Sequence, residues 1–193
     1  MSGKIVLVTG GARSGKSAFA EGHVARLGER IAYIATAQIY DDEMKARVDL
    51  HRRRRPAGWE TYEAPYGAEA VLARVAPEAD AVLFDCLTLY TSNLLLAADA
   101  PATPEERLIF IRSKITLLIE AARSGRATVV FVTNEVGMGI VPDNALAREY
   151  RDAAGLVNQQ VAAAAGEVYL VVSGLAVELK KLAAATEGEV RHG

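Results

Sequence analysis

An eight-residue stretch near the start of the chain carries the residue types that bind phosphate. It is Gly10-Gly11-Ala12-Arg13-Ser14-Gly15-Lys16-Ser17, with the apolar run 5–9 directly before it and a helical pattern opening at Lys16. The glycines let the main chain curl so that N–H groups point at phosphate oxygens, and the start of the helix adds partial positive charge. The motif and its context together predict a P-loop.

Two side chains of this loop have predicted roles beyond enclosing phosphate. We expect Lys16 to supply a positive charge to the β- and γ-phosphates of ATP or GTP, and Ser17 to offer its hydroxyl to Mg²⁺. Asp85 is the predicted carboxylate partner of that ion, because it follows the apolar run 81–84 and would emerge at the ligand-binding edge of a parallel sheet. The alternative is that Asp85 caps a helix beginning near Thr88.

Short apolar runs alternate along the chain with longer stretches of helical periodicity. Strands are predicted at 5–9, 31–35, 81–85, 128–133 and 168–172, with a small additional strand at 60–63. Helices are predicted at 16–27, 41–53, 67–75, 104–124 and 145–165. Because the main strands are continuously apolar inside, the pattern predicts an α/β fold with a mostly parallel, doubly wound sheet flanked by helices.

The bulk composition limits the functional classes. With 193 residues, we expect a single domain over 1–182 and a flexible tail over 183–193, where the apolar rhythm is lost. The net charge of −2 gives no overall attraction to nucleic acid or to an anionic membrane, and no stretch is apolar enough to span a bilayer. Cys86 is the only cysteine, which excludes an intrachain disulfide and suits a reducing cytoplasm.

Two further stretches carry polar side chains suited to a phosphorylated ligand. Arg47 and His51 are four residues apart on a predicted helix, so they share one face and form a cationic neighbourhood. The glycine-rich stretch 134–139 follows a predicted buried strand, and we expect it to form a loop at the same sheet edge as the P-loop. That loop contacts substrate or another subunit, or alternatively makes a simple turn in which Glu135 caps the next element.

Together these motifs resemble those of the bifunctional adenosylcobinamide kinase / adenosylcobinamide-phosphate guanylyltransferase family. The resemblance covers nearly the whole chain apart from the tail. The segments that carry it are the P-loop, 33–36, 41–44, 51–59, 133–142, Arg148, 151–152, Gly155, Asn158 and 171–174. It implies a RecA-like P-loop NTPase fold, a homotrimer and two activities of cobalamin biosynthesis. ATP or GTP phosphorylates adenosylcobinamide, and GTP then donates GMP to that phosphate, which gives adenosylcobinamide-GDP and pyrophosphate.

The resemblance also assigns a nucleophile. His51 matches the family's guanylylated histidine by its spacing to Arg55-Pro56 and Trp59. The chemistry agrees, because a neutral imidazole with an unperturbed pKa of about 6.5 can attack phosphorus without a separate strong base. His23, inside the first predicted helix, and His192, in the tail, are poorer candidates. The alternative for His51 is a solvated helix residue.

By the same resemblance, several residues outside the P-loop line the nucleotide site. They are Ala35, Thr36, Ala37, Arg52, Arg53, Arg54, Arg55, Glu63 and Asp85. Only Arg55, directly before the proline, matches the recognisable family feature, and Arg52 to Arg54 are alternatively part of a solvated face.

Two other functions stay open at this point. One is a small-molecule kinase in which His51 has no covalent role, and the other is a non-catalytic NTP-dependent switch. No base-reading motif separates guanine from adenine, so the preference for GTP rests on the resemblance.

Overall fold

The computed structural model describes residues 3–38, 56 and 58–184. Its strands are β1 (Ile5–Thr9), β2 (Ile31–Ala35), β3 (Glu60–Glu63), β4 (Ala81–Asp85), β5 (Thr128–Val132), β6 (Glu167–Val172) and β7 (Leu175–Glu178). Its helices are α1 (Lys16–Val24), α2 (Ala68–Val75), α3 (Leu87–Leu95), α4 (Pro104–Ser124), α5 (Ala145–Ala164) and α6 (Leu179–Leu182). The predicted helix 41–53 lies outside the described residues. None of the described helices is long and apolar enough to cross a bilayer.

The strands form one sheet in the order β3-β2-β4-β5-β1-β6-β7. Neighbouring strands are parallel except for the β6–β7 hairpin. One strand, β5, therefore separates β1 from β4. Because parallel strands present their carboxyl ends at one edge, the segments that follow β1, β2, β4 and β5 meet there. The predicted mostly parallel sheet is confirmed.

Helices cover both faces of this sheet. On one face α2, α4 and α5 bury Leu72, Ile115 and Val157 in a core shared with the strands. On the opposite face α1 buries Ala20 and Val24. Strands β1 and β2 are buried along their whole length, as expected for strands covered on both sides. The doubly wound arrangement is therefore confirmed as well.

Several elements differ from the predictions, among them α1, α3 and β7. Helix α1 ends at Val24 instead of residue 27, because the N–H groups of Arg26 and Leu27 turn to carbonyls three residues back and tighten the last turn. The sequence does not predict the full extent of α3, since seven of its nine residues are buried and no polar stripe marks a helical period. Strand β7 is also not predicted, and it adds an antiparallel edge beyond β6.

Local side chains set where the two long helices begin. Thr103 Oγ1 accepts the N–H of Glu106 at 3.3 Å, and the Glu106 carboxylate accepts the N–H of Thr103 at 3.4 Å. This capping box, with Pro104 at the first helical position, starts α4. At the start of α5, Asn144 Oδ1 accepts the N–H of Ala147 at 2.7 Å. Both helices therefore begin where their sequences satisfy otherwise unpaired N–H groups.

A largely buried carboxylate, Glu69 on α2, joins three helices. It accepts hydrogen bonds from the Tyr90 hydroxyl on α3 and from Lys114 Nζ on α4, the latter at 2.9 Å. Burial alone would raise the pKa of Glu69, but the hydrogen bonds from Tyr90 and Lys114 outweigh it and hold the pKa below its usual value. The carboxylate therefore remains ionised at neutral pH and ties α2 to α3 and α4.

Candidate functional site

The predicted P-loop connects β1 to α1. Gly10 leaves β1 so close to β6 that a Cβ on it would lie 2.4 Å from the carbonyl oxygen of Val171. Gly15 has a φ of 94°, a left-handed conformation that glycine adopts without steric cost, and α1 begins at the next residue. Both glycines are therefore required by the geometry of the loop.

The side chain of Lys16 is enclosed by this loop. Lys16 is buried, and its Nζ donates to the carbonyl of Gly11 at 3.0 Å. Burial lowers the pKa of Lys16, while the nearby Cys86 and Asp85 side chains act in the opposite direction. An ammonium group shielded from water in this way interacts more strongly with a phosphate oxygen than with a neutral carbonyl. This arrangement suits the predicted role of Lys16.

The turn between β6 and β7 supports the P-loop from one side. The N–H of Gly174 donates to the carbonyl of Ser14 at 2.8 Å, and a Cβ on Gly15 would lie 3.1 Å from Gly174 Cα. Ser173 and Gly174 both have left-handed φ values, 52° and 83°. The sequence does not predict this contact between Gly174 and the P-loop. The pair Ser173-Gly174 indicates only that a turn lies here, because Ser-Gly pairs are common in turns.

Asp85 ends β4 at the same edge as the P-loop. The hydroxyl of the buried Tyr33 donates to its carboxylate. The cap of α3 is Cys86, whose Sγ accepts the N–H of Leu89 at 3.5 Å, so the alternative that Asp85 caps this helix is wrong. Burial, with a contribution from Asp85, raises the pKa of the Cys86 thiol to about 12. That thiol is protonated at neutral pH and is not a nucleophile.

Thr36 follows β2 and is 0% exposed. Its hydroxyl accepts the N–H of Cys86 and donates to the carbonyl of Cys86, both at 2.8 Å. Its own N–H donates to the carbonyl of Asp85 at 3.0 Å, and its carbonyl accepts Asn93 Nδ2 at 2.7 Å. The side chain of Thr36 is thus turned inward, and its direct contact with nucleotide stays a prediction that these bonds do not support.

The glycine-rich stretch after β5 reaches the P-loop. The N–H of Glu135 donates to the carbonyl of Gly10 at 3.2 Å, which confirms the predicted position of the stretch at this edge. Glu135 Oε1 accepts the N–H of Gly137 at 2.8 Å and closes a local turn instead of capping α5. Beyond this turn, Met138 and Ile140 are 84% and 97% exposed. The loop therefore presents apolar side chains to solvent beside the P-loop.

Three polar residues, one on α3, one directly after β5 and one on α5, hold that stretch in place. Thr88 Oγ1 accepts the N–H of Asn134 at 2.7 Å, and the Thr133 hydroxyl donates to Asn158 Oδ1 at 2.7 Å. Asn158 Nδ2 in turn donates to the carbonyl of Asn134 at 3.1 Å. These partners are far apart in the chain, so no local pattern in the sequence predicts the network. Thr133, Asn134 and Asn158 stand out in the sequence only through the resemblance, and Thr88 is not among its residues.

The sequence profile of the family described as cobinamide kinase / cobinamide phosphate guanyltransferase matches residues 6–179. The chain belongs to this family. It is 50% identical over 186 residues to the bifunctional adenosylcobalamin biosynthesis protein CobU of Salmonella typhimurium, covering 91% of this chain and 99% of that protein. It is 48% identical over 184 residues to CobU of Escherichia coli, with 91% and 99% covered. The expected family is confirmed, and with it the enzyme class, a kinase and guanylyltransferase of cobalamin biosynthesis.

A solved structure, a prototypical ATPase from the type III secretion system of pathogenic bacteria, has a similar fold. The TM-score is 0.60 at 13% sequence identity, and the match covers 96% of this chain and 61% of that one. The chain thus spans less than two thirds of the length of the ATPase. At this identity the likeness shows the fold alone, and it agrees with the predicted α/β P-loop NTPase fold.

Some of the residues to which the family resemblance gives a role lie together at the carboxyl ends of β2, β3 and β4. Ala35 is buried at the end of β2 and pairs with Glu63 on one side and Asp85 on the other. Ala37 is half-buried and Glu63 is exposed. The exposed residues of the P-loop are Gly11, Ala12, Arg13 and Gly15, whereas Ser14 and Lys16 are buried and Ser17 is half-buried. His51, Arg52, Arg53, Arg54 and Arg55 lie outside the described residues.

Trp59 marks the return of the chain to the sheet after that segment. Its ring packs beside Tyr33, with 6.4 Å between ring centroids. Its main-chain N–H donates to the carbonyl of Pro56 at 3.1 Å. Tyr33 also holds the carboxylate of Asp85. Trp59 therefore packs beside the same tyrosine, Tyr33, that donates a hydrogen bond to Asp85 in the candidate site.

Proposed function

We propose that this chain phosphorylates adenosylcobinamide and then transfers GMP to the product. The observation that carries the proposal is that the buried amine of Lys16 in the P-loop and Asp85 at the end of β4 lie at the same edge of the sheet, in a chain that belongs to the cobinamide kinase / cobinamide phosphate guanyltransferase family. The two relatives from Salmonella typhimurium and Escherichia coli are both described as bifunctional proteins of adenosylcobalamin biosynthesis.

In the kinase step, a hydroxyl oxygen of the substrate attacks the γ-phosphorus of ATP or GTP. The bond from that phosphorus to the bridging oxygen breaks, the nucleoside diphosphate leaves with the electron pair, and the hydroxyl proton is released to solvent. Lys16 binds oxygens of the β- and γ-phosphates. The N–H groups of the P-loop and the start of α1 stabilise the charge that accumulates on the leaving diphosphate.

The oxygen groups at this edge fit Mg²⁺. Asp85 and Ser17 supply a carboxylate and a hydroxyl, which are hard ligands of the kind this ion prefers. Across residues 3–38, 56 and 58–184, no group of three or more His, Cys, Asp or Glu side chains could hold a metal by itself. Mg²⁺ commonly uses one or two protein ligands together with phosphate oxygens and water, so the sparse set suits it. When bound, the ion offsets charge on the phosphates.

The transferase step is assigned to His51. An imidazole nitrogen attacks the α-phosphorus of GTP, the bond to the α,β-bridging oxygen breaks, and pyrophosphate leaves. A phosphate oxygen of adenosylcobinamide phosphate then attacks the same phosphorus and the P–N bond breaks, which restores the imidazole and gives adenosylcobinamide-GDP. The support is the position of His51 in the sequence, four residues before Arg55, within the range that matches the family.

We also propose that the guanine nucleotide is lined by residues of the P-loop and of the neighbouring strand ends. Besides Gly10 to Ser17, they are Ala35, Thr36, Ala37, Arg52, Arg53, Arg54, Arg55, Glu63 and Asp85. Ala35, Glu63 and Asp85 support the proposal by their shared position at the edge. Thr36 belongs to this set because it supports the main chain of Cys86, and its hydroxyl already has protein partners.

We also propose that the protein forms a homotrimer and acts in the cytoplasm. The exposed apolar side chains of Met138, Ile140 and Leu175 support a subunit contact, since large apolar groups in water commonly mark an interface. The single cysteine agrees with a reducing compartment. Light scattering of the purified protein tests the assembly, and a monomeric mass at micromolar concentration would exclude the trimer.

A two-stage assay with adenosylcobinamide tests the activity. The first stage supplies ATP and Mg²⁺, the second adds GTP, and chromatography separates the phosphate from the GDP-linked product. The first stage falls about 10²–10³-fold in Lys16→Ala and is unchanged in Lys181→Ala, whose side chain is exposed. His51→Ala makes only the phosphate. A wild-type protein that stops at the phosphate favours the kinase without transferase activity, and no transfer at all favours the switch.

A further inference from the structure

Thr36, the residue directly after β2, forms three hydrogen bonds to the main chain of Asp85 and Cys86. Regular pairing of β2 with β4 ends at the pair Ala35 and Asp85. Thr36 extends that pairing by one residue through its N–H, which donates to the carbonyl of Asp85, and then through its hydroxyl, which takes both polar groups of the Cys86 main chain. The main chain on both sides of the Asp85 side chain is therefore fixed by a single threonine.

Asn93 fixes Thr36 in turn. This buried residue of α3 donates one Nδ2 hydrogen bond to the carbonyl of Thr36 at 2.7 Å and another to the carbonyl of Pro65 at 3.0 Å. Pro65 follows β3, so one amide group joins α3 to the segments that follow β2 and β3. Because Asn93 is anchored at two points, Thr36 cannot shift without breaking bonds that water does not replace at this depth.

We propose that Thr36 is a positioning residue for Asp85, and that its hydroxyl holds the carboxylate where it meets a divalent cation on the nucleotide phosphates. The inference rests on the proposed function, because it presumes a Mg²⁺-nucleotide complex at the P-loop. The second support of Asp85 is the hydroxyl of Tyr33, which contacts the carboxylate itself. Tyr33 orients the carboxylate group, and Thr36 sets the main chain from which that group projects.

A direct contact of Thr36 with nucleotide is the competing role. The observations favour positioning, because Thr36 is 0% exposed and each of its polar groups already has a protein partner within 3.0 Å. A hydroxyl that donates once and accepts once from a rigid main chain has little capacity left for a ligand. Partners that orient a metal ligand commonly change metal affinity or activity by about 10–100-fold when they are removed.

The test compares isosteric threonine-to-valine changes at two fully buried sites. Thr36→Val removes the hydroxyl that bonds Cys86, whereas Thr91→Val, on α3, removes a hydroxyl that has no hydrogen-bond partner among the described residues. Both threonines are 0% exposed. Binding of a fluorescent GTP analogue is titrated with Mg²⁺, and the thermal midpoint of each variant is recorded without nucleotide.

We expect the Mg²⁺ concentration for half-maximal binding to rise about tenfold in Thr36→Val. It should stay at the wild-type value in Thr91→Val and return close to it in Thr36→Ser, which keeps the hydroxyl. Binding of the analogue in the presence of EDTA should be equal in all four proteins. If Thr36→Val does not fold, Thr36→Ala is compared with Thr91→Ala, since alanine removes the hydroxyl without placing a methyl group beside the main-chain polar groups of Cys86.

Two results would overturn the positioning role. One is a folded Thr36→Val protein with the Mg²⁺ requirement of the wild type, and the other is an equal loss of affinity with and without Mg²⁺, which would make Thr36 a direct nucleotide contact. Both presume a wild-type protein whose nucleotide binding depends on Mg²⁺. A wild-type protein without that dependence contradicts the proposed function itself, so the two failures are distinguishable.

Discussion

Substitution of Gly10 tests whether the P-loop is held as tightly against β6 as the structure shows. In Gly10→Ala, the new Cβ would lie 2.4 Å from the carbonyl oxygen of Val171 and 2.7 Å from Ser14 Oγ. Carbon and oxygen atoms in close contact normally stay about 3.3 Å apart, so the main chain has to separate by about 0.9 Å. Val171 is buried in the sheet, so its carbonyl cannot move away at low cost.

Overpacking of this kind costs about 1–3 kcal/mol of the free energy of unfolding. For a chain of this length, each kcal/mol corresponds to about 2–4 °C, so we expect the thermal midpoint of Gly10→Ala to fall by about 2–12 °C. Gly11→Ala is the matched control, since its Cβ would meet no atom of the described residues within 4 Å. A surface change without new contacts stays within about 0.5 kcal/mol.

Circular dichroism melts without nucleotide measure both midpoints, and a second set with Mg²⁺ and GTP measures stabilisation by the ligand. A well-bound ligand at 100 times its Kd adds about 2.7 kcal/mol to the wild type. Gly10→Ala should lose most of this gain, because the displaced loop no longer presents its N–H groups to phosphate. A Gly10→Ala protein that melts like the wild type, or a Gly11→Ala protein destabilised by the same amount, would show that the P-loop is not held tightly against β6.

Further predictions concern charged groups. Glu69→Gln should be less stable than the wild type near neutral pH, because the folded protein holds the pKa of Glu69 below its usual value despite burial. That stabilisation is present above the unfolded pKa of about 4.3 and is lost as the pH falls through the folded pKa, so urea unfolding of the two proteins should converge in acid. Glu149→Gln weakens the two bonds, 2.7 and 2.8 Å long, that Arg107 donates to it between α4 and α5, and the urea midpoint of unfolding should fall slightly. Lys16→Ala should keep a wild-type midpoint and lose only the stabilisation by nucleotide, and a matching loss without nucleotide would mean that Lys16 is mainly structural.

The strands and the P-loop follow from the sequence because their signals are local. The five main predicted strands coincide with β1, β2, β4, β5 and β6 to within one residue at either end. Their continuous apolar interiors reflect burial on both faces, which the sheet order then explains. The motif residues Gly10 and Gly15 are likewise predicted from the sequence. Gly10 is required by the close approach of Val171, and Gly15 by its left-handed φ.

The rest of the site depends on contacts between distant parts of the chain. No local pattern pairs Thr36 with Cys86, or Tyr33 with Asp85, because these partners meet only when β2 lies beside β4. The support of the P-loop by Gly174 arises in the same way, from the placement of β6 beside β1. Such partners are set by the order of strands, which a single sequence does not specify.

The full extent of helix α3 escapes prediction for a different physical reason. Leu87, Tyr90 and Leu94 are buried, and so are the polar residues Thr88 and Asn93, which bond to other elements. A helix enclosed on every side has no polar face, so the usual helical period is lost. Thr88 and Asn93 are buried because they hydrogen-bond to segments of the candidate site. These buried polar residues interrupt the apolar periodicity from which a helix is predicted.

The covalent role of His51 distinguishes the proposed guanylyltransferase from a kinase alone. Incubation with GTP labelled in the α-phosphate, followed by peptide mapping, should place one GMP on His51 through a bond that is stable in base and labile in acid. The adduct should be absent from His51→Ala and retained in His23→Gln, since His23 lies in the last turn of α1 and packs against Phe19 and Tyr169. An unlabelled wild-type protein, or a label that survives in His51→Ala, would contradict the guanylyltransferase assignment.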